Sequence, residues 1–183
     1  MPAPICPACG TAARLTVGAE VHRRKPHLAE RPIWKCDTCP DAYVGCHDGT
    51  TVALGTPADK ATREARHSLH RWKLDPLWQQ AVALSAYSRA PRNKGVQADI
   101  KKTARQRVYA YLADRMGLTV AETHTGLFTS DQCRIASEIL STVTYAEIRR
   151  WAHAQRNAAE RAARLADASS PSTLHPDPEA ACV

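Results

Sequence analysis

The spacing of apolar positions changes near residue 56. Before it, short stretches of β-type residues at 15–21, 32–35 and 42–46 stand between Gly, Pro and Asp breakers. His47-Asp48-Gly49-Thr50 then carries the Asp-Gly pair of a tight turn. After it the period becomes helical. Thr56-Pro57-Ala58-Asp59 offers a capping hydroxyl, a proline for the first helical position and an acid for the first turn. Ala61, Ala65, Leu69 and Trp72 follow at spacings that predict one apolar face. Asp75-Pro76 predicts the start of a second helix bearing Leu77, Trp78, Ala81 and Val82, and residues 88–97 are expected to form a basic loop. Asp99 is the expected cap of a third helix lined by Ile100, Ala104, Val108, Tyr111 and Leu112, with Gly117 as its left-handed terminator. Thr129 or Ser130 opens a fourth, and Thr144-Tyr145-Ala146-Glu147 is a capping box for a fifth that reaches about Ala168.

The fold class this pattern predicts is α+β. A ribbon of short antiparallel strands at 1–55 is followed by a mainly helical domain of about five helices at 56–168, with a disordered, Pro-containing tail at 169–183. Composition narrows the picture. With 44% hydrophobic residues in 183, the chain can bury a core, yet no uncharged apolar run approaches the ~20 residues of a membrane span. The N-terminal Met1-Pro2-Ala3-Pro4 lacks the basic-then-apolar order of a signal peptide.

Two CxxC pairs are the strongest chemical signal. Cys6-Pro7-Ala8-Cys9-Gly10 and Cys36-Asp37-Thr38-Cys39 each aim two sulfurs at one point, and the chain between them is long enough for a hairpin that brings the turns together. Cys6, Cys9, Cys36 and Cys39 are therefore the expected ligands of one structural Zn2+. Four thiolates leave no open coordination position. A redox CxxC or a disulfide pair is the competing reading. Neither accounts for two pairs at ribbon spacing, and no thioredoxin-like βαβ pattern surrounds them. Metal binding would then supply much of the folding free energy of the first third.

Other clusters carry weaker signals. Cys46-His47-Asp48 invites a catalytic reading, but a cysteine at a strand end is more often a small apolar side chain. His67 and His70 share a helix and read best as solvated. His124-Thr125-Gly126-Leu127-Phe128 contains the chain's single phenylalanine, expected to anchor its loop in the core with His124 in a structural hydrogen bond and Cys133 buried nearby.

The ordered string of these motifs resembles a known family, the zinc-finger-containing domain proteins of unknown function found in phage and prophage genomes. It runs from the two CxxC pairs through Ala42-Tyr43-Val44-Gly45-Cys46-His47-Asp48-Gly49-Thr50, Leu54-Gly55-Thr56-Pro57-Ala58, Arg66-His67 and Asp75-Pro76-Leu77-Trp78. It continues to Tyr109-Ala110-Tyr111-Leu112-Ala113, His124-Thr125-Gly126-Leu127-Phe128 and Cys133, covering roughly residues 4–141. The resemblance implies four zinc-ligating cysteines and a cytoplasmic setting in a bacterial or phage-infected cell, and it carries no activity.

Charge distribution supplies the functional expectation. Residues 57–120 hold thirteen Lys/Arg against five Asp/Glu, a net of +8, whereas the whole chain is +7. Such an excess attracts phosphate, although solvated helices also carry many cations. The leading expectation is nucleic-acid binding, DNA or RNA, through Arg89, Arg92, Lys94, Lys101, Lys102, Arg105 and Arg107. Trp34, Tyr43 and Trp72 are capable of base stacking but are expected in the core. The alternatives are a protein-interaction module binding a host or phage protein, and a metal-dependent nuclease using His47, Asp48 and His67. Metal-assisted hydrolysis needs open coordination and usually several carboxylates, which this sequence does not cluster.

Overall fold

A computed structural model describes residues 2–169. The expected tail lies outside the described residues apart from Ser169. The architecture is α+β, with a three-stranded antiparallel sheet and a cysteine cluster at the N-terminus followed by five helices.

The sheet order is β1 (Arg14–Val17), β2 (Pro32–Lys35), β3 (Tyr43–Gly45). Leu15 pairs with Trp34 and Trp34 with Val44, so alternate side chains of the central strand reach opposite faces. The strand expected at 15–21 stops at Val17, and Gly18–Val21 form a short helical turn, α1. A crossing of backbones dictates the change, because a Cβ at Gly18 would sit 1.8 Å from the Leu28 carbonyl oxygen. Glu20 is thereby placed to accept from Lys35 at 2.7 Å, Thr16 at 2.5 Å and Arg14 at 2.9 Å. The Asp-Gly turn forms as expected: Thr50 N–H donates to His47 O and Gly49 takes φ +70°.

α2 (Lys60–Leu69) begins later than Thr56 predicts. Ala58 exchanges both backbone hydrogen bonds with Tyr43, which keeps it extended, and the cap passes to Asp59, whose side chain accepts from Thr62 N–H at 2.8 Å. No new helix starts at Asp75. His70–Leu74 form a π turn that runs directly into α3 (Asp75–Gln79), with Asp75 N–H bonding His70 O. Pro76 explains the widening: inside an ordinary α-helix its ring would collide with the carbonyl four residues back. The extra residue rotates the apolar face, so Leu69 and Leu74 are buried while Trp72, expected in the core, is 64% exposed.

Two short 3-10 turns at 80–83 and 85–87 lead to α4 (Lys94–Met116). Its cap is Asn93, which lies six residues before the expected Asp99 and accepts from Val96 N–H. Much of the expected basic loop is therefore helix. Gly117 ends α4 in the left-handed region at φ +65°. α5 (Ser130–Ser141) opens with a Thr129/Gln132 capping box, and α6 (Tyr145–Ser169) with Thr144 and Glu147 bonded reciprocally. The helical core gathers Leu69, Leu74, Val108, Leu112, Phe128, Cys133, Leu140 and Ile148. Residues 154–167 of α6 are all exposed.

Sheet and helices meet at a tight seam. Thr56 N–H donates to Gly126 O at 3.0 Å, and a Cβ on Gly126 would lie 2.0 Å from Leu54 O. Arg66 closes it, donating to Phe128 O at 2.8 Å and Thr56 O at 2.9 Å.

Candidate metal centre and basic surface

Each CxxC pair is shaped by its own backbone. In the first, Cys6 N–H bonds Thr11 O, Gly10 N–H bonds Cys6 O, and Gly10 adopts φ +72° to reverse the chain. In the second, Cys36 N–H bonds Ala42 O while Ala42 N–H returns to Cys39 O. Cys39 N–H also points at the Cys36 sulfur, 3.3 Å away, as expected of an amide that stabilises a thiolate. The β1–β2 pairing, Arg14 opposite Lys35, carries the two turns to the same end of the sheet.

The four Sγ atoms of Cys6, Cys9, Cys36 and Cys39 all lie within 4.8 Å of one another. A tetrahedral zinc with Zn–S bonds of about 2.3 Å requires sulfur separations of about 3.8 Å, so the cluster fits one ion with small adjustments. Cys9 and Cys36 are already 3.5 Å apart. Cys6 and Cys36 are fully buried, whereas Cys9 is exposed. The thiols differ in acidity before metal arrives. Hydrogen bonds from the Thr11 side chain and amide bring Cys9 down to about 6, while donation to Cys9, with burial, pushes Cys39 up to about 12. Four soft ligands, half of them buried, suit a structural zinc that ties the ribbon together.

The chain belongs to the zinc-finger-containing domain family. Residues 3–94 match the family's model, which spans both CxxC pairs, the sheet, α2, α3 and the turns up to the start of α4. The match ends short of residue 141, so nearly all of α4 and the whole of α5 and α6 lie beyond it. No curated protein and no solved structure matches the chain.

The remaining candidate residues of this zinc-finger domain are dispersed. Among the described residues, the four cysteines are the one group of His, Cys, Asp or Glu close enough to share a metal. His67 is exposed on α2, and Asp48 pairs with Arg31 at 3.2 Å, so His47, Asp48 and His67 are not gathered on a common point. His124 accepts from Gly126 N–H through Nδ1, and Phe128 is fully buried, as the sequence led us to expect. Desolvation of the His124 ring, then the charges of His70, His47 and Arg105, push its pKa down. Groups from the Asp-Gly hairpin, the π turn and α4 thus act on one imidazole.

Of the expected basic contacts, Arg89, Arg92, Lys94, Lys102 and Arg105 are exposed and Lys101 is half-buried. Arg107 differs: it donates to the hydroxyls of Tyr87 at 2.8 Å and Tyr145 at 3.2 Å, fastening α4 to its neighbours instead of facing solvent. Arg66, absent from the expected contacts, is the seam's clamp. Its hydrogen bonds reach residues 62 positions away, which no local pattern encodes. Trp72 departs from its expected core face for a reason present in the sequence, Pro76 four residues downstream.

Proposed function

We propose that this zinc-finger domain protein binds nucleic acid through the basic surface of residues 57–120, with the zinc ribbon as a rigid support. The observation that carries the reading is a shortage of internal counter-charge. Among the described residues, Arg71, Lys73, Arg89, Arg92, Lys94, Lys101, Lys102 and Arg105 make no ion pair. Of the region's five carboxylates, Glu64 and Asp114 pair with Lys60 and Arg115, Asp59 caps α2, and Asp75 faces His70 and Trp78. Cations left without carboxylates suit a polyanion whose phosphates release counterions when they bind. Lys101 and Arg105 stand four apart on α4 beside Lys102. A cytoplasmic, phage or prophage setting is part of the same reading and rests on the resemblance of the motifs.

The test is binding of zinc-loaded protein to labelled duplex DNA, single-stranded DNA and RNA across a salt series. Lys101→Glu/Lys102→Glu/Arg105→Glu should lose most affinity, and the log–log salt slope on duplex should shrink by about 0.9 for each phosphate no longer neutralised. Absence of binding at low salt in the parent protein refutes the reading. A second reading, docking on a host or phage protein, draws on the fourteen successive exposed residues 154–167 of α6. A salt-insensitive complex with a defined protein, abolished by truncating α6 after His153, would favour it.

A further inference from the structure

We infer that Trp72 is a base-stacking platform and that the nucleic acid this protein takes is single-stranded. The inference rests on the nucleic-acid reading above and adds to it the contact that selects the form of the partner. Trp72 is the most exposed large aromatic side chain among the described residues, at 64% of its surface, although its sequence spacing belongs to a core face. The π turn that accommodates Pro76 turns the indole outward while Leu69 and Leu74, on either side of it, remain fully packed. The turn itself is held in place. His70 bonds Thr125 through Nε2 and faces Asp75 through Nδ1 at 3.5 Å, and Trp78 donates to Asp75 at 3.0 Å. The outward ring is therefore mounted on a fixed segment.

Its surroundings select the ligand. The Arg71 guanidinium lies 5.0 Å from the Trp72 ring centroid, and neither Arg71 nor Lys73 has an ion-pair partner among the described residues. With Arg71 over one face of the indole, the rest of the exposed ring complements a base and the adjoining guanidinium its phosphate. Duplex DNA hides base faces in its stack, and exposing one costs unstacking energy, so a protruding indole gains this contact most readily from an unpaired strand. Every base offers a π-face, so the contact carries little sequence preference.

The experiment compares the full zinc-loaded chain with Trp72→Ala and Trp72→Phe on labelled oligo(dT), oligo(U) and a duplex of matched length. Because Trp72 is mostly exposed, both variants should melt within about a degree of the parent. Trp72→Ala should weaken binding to the single strands by about five- to 150-fold, the range of base–aromatic stacking, and change duplex binding less than about twofold. Trp72→Phe should restore most of the loss, and the ratio of the two oligonucleotide arms reports whether deoxyribose or ribose is preferred. Unchanged single-strand binding by Trp72→Ala overturns the inference while leaving the basic-surface reading in place. No binding of the parent to any nucleic acid removes both. Concentration-dependent sedimentation abolished by Trp72→Ala, with strand binding intact, would assign the ring to contact between copies and overturn the inference as well.

Discussion

Gly126→Ala tests whether the ribbon and the helices are locked together at the seam. The added Cβ would lie 2.0 Å from Leu54 O and 3.0 Å from His124 Nδ1. Ordinary van der Waals contact begins at about 3.4 Å, so the two backbones must part by roughly 1.4 Å. That displacement breaks the 3.0 Å bond from Thr56 N–H to Gly126 O and pulls on Arg66, which holds Thr56 O and Phe128 O together. Overpacking costs about 1–3 kcal/mol, and a broken backbone hydrogen bond adds about 1 kcal/mol, giving about 2–4 kcal/mol in all. For a chain of this size, that corresponds to a fall in Tm of about 4–16 °C. Thermal melts of the zinc-loaded protein followed by circular dichroism measure it. Gly95→Ala is the internal control. Its Cβ would meet only the Asn93 side chain at 3.5 Å inside α4, so it should stabilise by about 0.5–1 kcal/mol. A Gly126→Ala melt within about a degree of the parent would refute the locked seam.

Three further outcomes rest on the packing and the metal site. Phe128→Ala, which empties a fully buried position, should cost about 3–5 kcal/mol in urea unfolding, and a loss below about 1 kcal/mol would contradict its anchoring role. Chelating the zinc should remove amide-exchange protection at Cys36 and Ala42, whose N–H groups close the second turn, and should spare Val108 and Leu112 in the helical core. Equal loss in both regions would show that the two parts unfold as one. Glu147 accepts from the Thr144 backbone at 2.8 Å and the Thr144 hydroxyl at 2.7 Å, which hold its carboxyl below the usual range. Its ionised form therefore stabilises the fold above the unfolded carboxyl value of about 4.3, and that contribution is lost as pH falls through the lower folded value. The stability advantage of the parent over Glu147→Gln should accordingly be constant near neutrality and decline in acid. An advantage that grew in acid would refute the sign.

The chemistry that local spacing encodes was legible in the chain alone. Two CxxC turns specify the donors of a zinc site because each is a self-contained loop, with Gly10 free to take the positive φ its reversal needs. The capping box at Thr144, the helix start at Thr129 or Ser130 and the terminator Gly117 were readable for the same reason, since their partners lie within a few residues. Tertiary structure decided whatever depends on chain far away. Ala58 stays extended because Tyr43 holds it, and the strand expected at 15–21 stops because Gly18 meets the Leu28 backbone. Arg107 leaves the basic surface for two tyrosines on other elements, and Arg66 becomes a clamp through a carbonyl 62 residues away. Trp72 lies between these cases. Pro76 was visible, but an α-helical period makes no allowance for the residue a π turn inserts, and that one-residue shift moves an indole from the core face to solvent.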